Sequence, residues 1–247
     1  ADTGKSSESK SKVATATQPD AGTVVVPEAP PMYRTLRVIS LGWDLAGPGH
    51  LSQRVVEGAQ RPMSKRKLQV DLKSVTDLSA IKAALANGGA DKAGADIAIV
   101  PLPEMVASYE DLRALKPHIF FVVGWSRGRD AVFAHKKTSL LKLKRRGSVG
   151  VAGTRGSASM LLSLYLLDIA GVDSKRIEIS GEAAKALMFS AVDRGQTTSV
   201  AADSSIAVTS ADASALIPFV AIAPEGFLQN RRAVAAWIAA WLEGVEI

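Results

Sequence analysis

Apolar residues along this chain follow, in turn, the two periodicities that distinguish strands from helices. Stretches with alternating or β-branched apolar residues predict strands, and apolar residues three and four positions apart predict helices. Gly88-Gly89 stands where one of these helices should end. The first series gives strands at 35–41, 68–72 and 96–100, with helices at 51–59 and 78–87. Strands and helices that alternate with short connections predict a mostly parallel sheet.

A second series of elements follows, on either side of a glycine-containing turn at 124–128. Its pattern predicts strands at 118–125, 130–135, 148–152, 176–180, 199–202 and 216–222. It predicts helices at 139–145, 157–170, 182–193, 203–211 and 224–243. Two successive sets of strands and helices indicate an α/β protein with two lobes.

Residues 1–33 differ from the rest of the chain. Ser, Thr and Lys dominate the first half, and the stretch 24–31 is typical of an extended, polyproline-like chain. Because this segment cannot bury enough apolar surface to offset the entropy of ordering, we expect a disordered Ser/Lys/Pro-rich linker. Its first residues have neither a Met nor the basic and apolar regions of a signal peptide, so we expect the natural N-terminus to lie upstream.

Composition excludes several classes of site. The 247 residues contain no Cys, which excludes disulfides, thiolate zinc sites, iron–sulfur clusters and a Cys nucleophile. The three histidines lack the spacing of metal ligands, so we predict no metal and no cofactor. The net charge is +6, but aromatic residues make up only 5% and the basic clusters are short, which is typical of a solvated face. We therefore predict no nucleic-acid partner.

The most informative stretch is a strand that runs into a glycine-rich turn and then a helix, at 150–159. The first N–H groups of a helix attract anions, and Thr154, Ser157 and Ser159 add hydroxyl groups there. Arg155 has the geometry to clamp a phosphate, sulfonate or carboxylate. The alternative is an ordinary helix cap with a solvent-facing Arg. The pattern is neither a Walker loop nor a GxGxxG motif.

A second candidate is the loop after the first strand, because ligands of open α/β sheets bind beyond the carboxyl ends of strands. In this loop, Trp43 has two interpretations, as a surface that stacks on a ligand or as a cover for the lobe edge. Asp44 is either an acceptor for a ligand donor or the cap of the next helix.

Three segments resemble periplasmic solute-binding proteins of the nitrate, sulfonate and taurine transporter group. The run LSAIKAALANGGADKAGADIAIV at 78–100 is similar to the group's ALxxGxxDxAxx signature. Residues 138–179 resemble its segment with a GSxxxxxL turn and helix, and 182–203 resemble the segment that follows. The resemblance covers roughly 35–243. Two departures are Ala202-Asp203-Ser204-Ser205, where acidic or aromatic residues are common, and a closing segment of one helix, from which we expect truncation of a longer polypeptide.

The resemblance implies a two-lobed type II periplasmic-binding-protein fold, each lobe a mostly parallel sheet flanked by helices. Lobe one would comprise 34–124 plus 216–247, and lobe two 125–215, with hinges near 124–128 and 214–218. The ligand would lie in the interlobe cleft. The residues implied to hold it are Gly42, Trp43, Asp44, Pro101, Leu102, Ser126, Thr154, Arg155, Gly156, Ser157, Ala158 and Asp203.

The function implied is capture of a small anion, such as a phosphate, sulfonate or carboxylate, for an ABC transporter permease or a tethered sensor. A periplasmic or otherwise exported location follows from the same resemblance, with tethering through the N-terminal linker. The longest apolar runs are about half of the ~20 residues that a transmembrane helix needs. Membrane attachment is therefore expected only outside this chain. The alternatives are a ligand-sensing regulatory domain, which would lack its DNA-binding helices, and a fold-related enzyme, whose known types depend on Cys.

Overall fold

The computed structural model describes residues 34–54, 61–135, 138, 143, 147–180, 187–195 and 203–247. The strands in these ranges are β1 (Leu36–Leu41), β2 (Val70–Val75), β3 (Ile97–Pro101), β4 (Pro117–Trp125), β5 (Asp130–His135), β6 (Val149–Ala152), β7 (Ile177–Ser180), β8 (Leu187–Asp193), β9 (Ser204–Thr209) and β10 (Pro218–Pro224). The α-helices are α1 (Gly47–Gln53), α2 (Pro62–Lys65), α3 (Leu78–Asn87), α4 (Leu102–Ala107), α5 (Tyr109–Leu112), α6 (Ala158–Ile169), α7 (Glu225–Leu228) and α8 (Arg231–Val245).

The first sheet has the strand order β2-β1-β3-β10-β4. β1 pairs in parallel with β2 and β3, and β10 runs antiparallel between β3 and β4. Alternate residues of β1 face opposite sides: Val38 joins the cluster that contains Trp237 and Trp241 of α8, whereas Ile39 joins the cluster that contains Ile81 of α3. Helices therefore cover both faces of a sheet in which four strands share one direction.

The second sheet repeats this plan with the strand order β7-β6-β8-β5-β9. β6 pairs in parallel with β7 and β8, and β5 is the strand that runs in the opposite direction. The apolar helix α6 packs its buried Leu162 and Leu167 in one cluster with Val151 and Phe189 of the sheet. Each sheet is mixed but mostly parallel, as the resemblance implied.

Two crossovers connect the sheets, one from β4 to β5 and one from β9 to β10. They are joined by a buried polar cluster. The Ser126 hydroxyl donates to the Asp130 carboxylate at 2.6 Å and lies 2.7 Å from the Ser210 hydroxyl. The Ser210 hydroxyl in turn accepts a bond of 2.8 Å from the Gly128 N–H. These bonds give partners to the buried side chains of Ser126, Asp130 and Ser210.

Two elements predicted as helices are strands. Residues 187–193, inside the predicted helix 182–193, form β8, and residues 204–209, inside the predicted helix 203–211, form β9. The run EAAKALMFSAVD is rich in Ala and Leu and favours a helix locally, but its second half lies between β5 and β6, where pairing on both sides decides its conformation. The predicted helix 224–243 is also divided, into α7 and α8.

Several predicted elements lie wholly or partly outside the described residues. They are the linker 1–33, the end of the helix 51–59, the helix 139–145, the first part of the helix 182–193 and the strand 199–202. In the described part of the chain, no helix is long and apolar enough to cross a membrane.

Candidate functional site

A polar cavity of about 470 Å³ lies between the two lobes. It stands at the carboxyl ends of strands from both sheets, where α/β folds place their ligands. The polar residues that line it from the first lobe are Thr76, Asp77, Glu104 and Ser108. Those from the second lobe are Thr154, Arg155, Ser157, Ser159 and Asp193. The cavity therefore contains side chains that no single lobe could bring together.

The turn between β6 and α6 forms one wall of this cavity. Gly153 and Gly156 have φ angles of +150° and +79°, which favour glycine. Ser157 is the cap of α6, and its hydroxyl accepts from the Met160 N–H at 3.2 Å and donates to the Thr154 carbonyl at 2.8 Å. The ordinary capping role predicted as the alternative for this turn is thus present, and the turn also lines the cavity.

Gly156 lies against the opposite lobe. A Cβ atom at this position would clash with the Cβ atom of Ala107 in α4. Glycine is therefore required here both by its backbone conformation and by the close approach of the two lobes.

Glu104 of α4 reaches across the cleft to the start of α6. Its Oε1 accepts a hydrogen bond of 2.9 Å from the Ala158 N–H, and its Oε2 is buried without a hydrogen-bond partner among the described residues. Burial raises the pKa of Glu104 to about 7, against the lowering effect of the Ala158 N–H. Ala158 was among the site residues implied by the resemblance, whereas Glu104 was not predicted. The available signal was a Pro-rich helix start with an acid in its first turn, directly after β3.

Arg129 connects the lobes at a second point. Its guanidinium donates two hydrogen bonds, of 2.9 and 2.8 Å, to Asp193 at the end of β8, and one of 2.5 Å to Asp44. Burial disfavours the charge of Arg129, but the two carboxylates outweigh this effect and raise its pKa. Asp193 was not predicted as a site residue, because its strand was predicted to be a helix. Asp44 lies where the loop was predicted, and its carboxylate is paired with Arg129.

Arg155 is the one basic side chain that lines the cavity in the described part of the chain. It is exposed and forms no ion pair with any described residue. Thr154 beside it is also exposed. These two side chains are therefore available to a ligand, whereas the hydroxyl of Ser157 is already used in the helix cap.

Four other residues implied by the resemblance do not line the polar cavity. Gly42, which adopts a φ of +99°, packs beside Arg129 and Asp44, whereas Trp43 is 71% exposed and does not line the cavity. Ser126 is buried in the crossover cluster. Asp203 is exposed. Its neighbour Ser204 is the strand-pairing partner of His135, which lies at the end of β5 that is farther from the crossovers. The strand end that faces the cleft is that of β8, so Asp193 stands where Asp203 was expected.

Pro101 and Leu102 lead into α4. Pro101 is the buried end of β3, and Leu102 lines a second, apolar cavity of about 400 Å³ rather than the polar one. The apolar cavity adjoins the polar cavity at Ala107, Gly156 and Ser157, which line both.

The fold is similar to solved binding proteins of ABC importers. The ligand-binding component of an ABC-type import system from Staphylococcus aureus, solved with zinc bound, has a TM-score of 0.61 and 12% identity, over 85% of this chain and 73% of that one. The aliphatic sulphonate binding protein SsuA from Escherichia coli has a TM-score of 0.57 and 14% identity, over 85% and 72%. The sulfonate-binding protein SsuA from Methylobacillus flagellatus KT has a TM-score of 0.57 and 17% identity, over 86% and 68%.

The sequence matches no protein-family model and no curated protein. A solved protein from Candida albicans, described as having the generic periplasmic binding protein fold, is also similar, with a TM-score of 0.54 and 15% identity over 86% of this chain and 71% of that one. The fold expected from the sequence resemblance is confirmed: this chain has the two-lobed α/β fold of periplasmic substrate-binding proteins.

Proposed function

We propose that this protein is a solute-binding protein that captures a small molecule in the interlobe cleft and releases it unchanged. The observation that carries this proposal is the polar cavity lined by both lobes, which are connected by two crossovers. A ligand that contacts both walls stabilises the closed arrangement, because those contacts exist only when the lobes meet.

An anionic group of the ligand is proposed to bind Arg155 and the Thr154 hydroxyl. Both side chains line the cavity and are exposed. A guanidinium binds carboxylate, sulfonate or phosphate oxygens through paired hydrogen bonds. Gly42, Trp43, Ser126 and Asp203 are not proposed as direct contacts, because none of them lines the cavity.

The wider role that we propose is delivery of the solute to the permease of an ABC importer, after export to the periplasm. The solved proteins with a similar fold support this role, since two of them are the binding components of a sulfonate ABC transporter and of an ABC-type import system. A tethered sensor would use the same cleft and closure, and an assay with the membrane-bound permease distinguishes the two roles.

The test begins with mass spectrometry of the small molecule that copurifies with the protein. That molecule is then titrated calorimetrically into the wild type, Arg155→Ala and the matched control Arg113→Ala, an exposed Arg of the first lobe paired with Glu110. Loss of a charged hydrogen bond costs about 1.5–3 kcal/mol, so Arg155→Ala should bind roughly 10- to 150-fold more weakly. Arg113→Ala should bind like the wild type. Equal affinities of all three proteins would remove Arg155 from the site.

A further inference from the structure

Glu104 is the acid of the cleft whose interactions are left incomplete. Its Oε1 accepts from the Ala158 N–H of the opposite lobe, whereas its Oε2 is buried and has no hydrogen-bond partner among the described residues. The other two acids that line the polar cavity have partners, since Asp193 binds Arg129 twice and Asp77 caps α3. A buried oxygen without a donor is far more costly on an ionised carboxylate than on a neutral carboxyl group.

The charges of the second lobe act on Glu104 in the same direction as burial. Asp130 of β5 and Asp193 of β8 both oppose its ionisation. The cation of this region, Arg129, is already bound to Asp193 and Asp44. Burial and the two carboxylates therefore favour the protonated form of Glu104 and hold its pKa at about 7.

The elements that pack against α4 do not neutralise Glu104 either. They are β3, β10, α5 and α6. β3 and β10 contain no charged residue, and Glu110 and Asp111 of α5 form ion pairs with basic residues outside the cavity. The charged residue of α6 is Asp168, near the far end of the helix. Arg155, in the turn before α6, is exposed and is not paired with Glu104.

We propose that Glu104 is a proton-dependent latch between the two lobes. When the carboxyl is protonated on Oε2, its carbonyl oxygen Oε1 still accepts from the Ala158 N–H, and the neutral side chain stays buried between α4 and α6. When it is ionised, the carboxylate is stabilised by water, which reaches Oε2 when the lobes part. The lobes are thus held together at acidic pH and released at alkaline pH. This control of the cleft does not depend on which solute binds there.

Hydrogen exchange of the Ala158 N–H measures the latch, because Glu104 is the acceptor of this group. The exchange rate is measured by NMR on the ligand-free protein at about pH 5 and about pH 8, and each rate is divided by that of an unprotected amide at the same pH. A pKa of about 7 in the closed form and an ordinary 4.5 in the open form predict a roughly 70-fold loss of protection between these pH values. Small-angle scattering of the same samples should give a larger radius of gyration at about pH 8.

Glu104→Gln removes the titration and keeps the contact. Its amide oxygen accepts from the Ala158 N–H but never ionises, so its protection and its radius should be the same at both pH values. The matched control is Glu110→Gln, an exposed acid outside the cavity, which should respond to pH like the wild type. Both variants retain Asp130, whose pKa of about 6 makes it the other buried acid that titrates in this range.

Three results would contradict the latch. The first is a wild type whose Ala158 protection and radius do not change with pH. The second is a loss of protection without a larger radius, because the side chain would then leave Ala158 while the lobes stay together. The third is a pH response that persists in Glu104→Gln, which would assign it to another group. Solute binding is tested separately, with the copurified molecule, and stands or falls independently of these results.

Discussion

Glu104 in the first lobe accepts a hydrogen bond of 2.9 Å from the backbone N–H of Ala158, the first residue of α6 in the second lobe. The N-terminus of a helix favours negative charge, because its first N–H groups have no partners within the helix. Here the Glu104 carboxylate of the protein itself supplies an acceptor and negative charge at the helix N-terminus. The position at which the sequence predicted a bound anion is thus also a contact that holds the lobes together.

Ionisation of Glu104 should make the stability of the protein decrease as pH rises. Burial raises its pKa from an ordinary 4.5 to about 7, so the folded state binds more protons than the unfolded state between these values. The contribution of protonated Glu104 to the free energy of unfolding is fully present below about pH 4.5 and is lost as pH rises through about 7. Asp130, whose pKa burial raises to about 6, adds a loss in a slightly lower range. Urea unfolding of the ligand-free protein from about pH 5 to about pH 8 measures the slope.

Glu104→Gln should flatten that slope and be more stable than the wild type at about pH 8, because its amide never ionises. Glu110→Gln, whose side chain is exposed, should follow the wild-type curve. A wild-type stability that rises across this range would contradict the assignment of a raised pKa.

Ser157→Ala should destabilise the protein through the lost cap of α6. The Ser157 hydroxyl accepts from the Met160 N–H, and loss of such a cap costs about 0.5–2 kcal/mol. Ser157→Asn should retain most of the stability, since Asn is an equally good cap. Urea unfolding checks both, with the exposed Ser148→Ala as the matched control. If Ser157→Ala and Ser148→Ala unfold at the same urea concentration, the cap contributes nothing.

Gly156→Ala should hold the lobes apart. The added Cβ would clash with Ala107 of α4, and the φ of +79° is unfavourable for Ala. Small-angle scattering should give a larger radius of gyration than for Gly226→Ala, where an added Cβ meets no atom. Combining Gly156→Ala with Ala107→Gly removes the clash but keeps the backbone strain. The double variant should therefore return to the wild-type radius, and a radius as large as that of Gly156→Ala would assign the effect to the backbone.

Asp44→Asn should weaken the contact between the lobes without leaving Arg129 unpaired. Arg129 keeps both of its bonds to Asp193, so the free energy of unfolding should fall by about 1–3 kcal/mol. Asp193→Asn removes the charge that binds Arg129 twice and should cost more, about 3–5 kcal/mol, because it leaves a buried guanidinium poorly compensated. Denaturant unfolding gives both values, and a larger loss for Asp44→Asn would reverse the assigned ranking.

Local patterns in the sequence were sufficient for many of the elements. The end of α3 at Gly88, with its φ of +70°, and the turn from β6 into α6 were predicted because glycine and capping residues act on their immediate neighbours. Short runs of apolar and β-branched residues predicted β1 and β3, whose side chains are buried on both faces of the sheet. The fold class followed from the order of these elements together with the family resemblance.

The elements that were predicted wrongly are those in which neighbours in space overrule local preference. β8 has the Ala- and Leu-rich character of a helix, but it runs between β5 and β6 and pairs with both. That error concealed Asp193 and directed attention to Asp203, which lies away from the cleft. A strand in the middle of a sheet is determined by the partners on its two sides, and these are distant in the sequence.

The sequence by itself determined most strands and helices of the two lobes and the glycine-rich turn with Arg155, because periodicity and backbone preference are local properties. Only the tertiary structure decided which charges share the cleft. Glu104 and Ala158 are 54 positions apart and belong to different lobes, and Arg129 meets Asp44 and Asp193 across separations of 85 and 64 positions. The burial that raises the pKa of Glu104 arises when the lobes pack against each other, and no local sequence pattern records it.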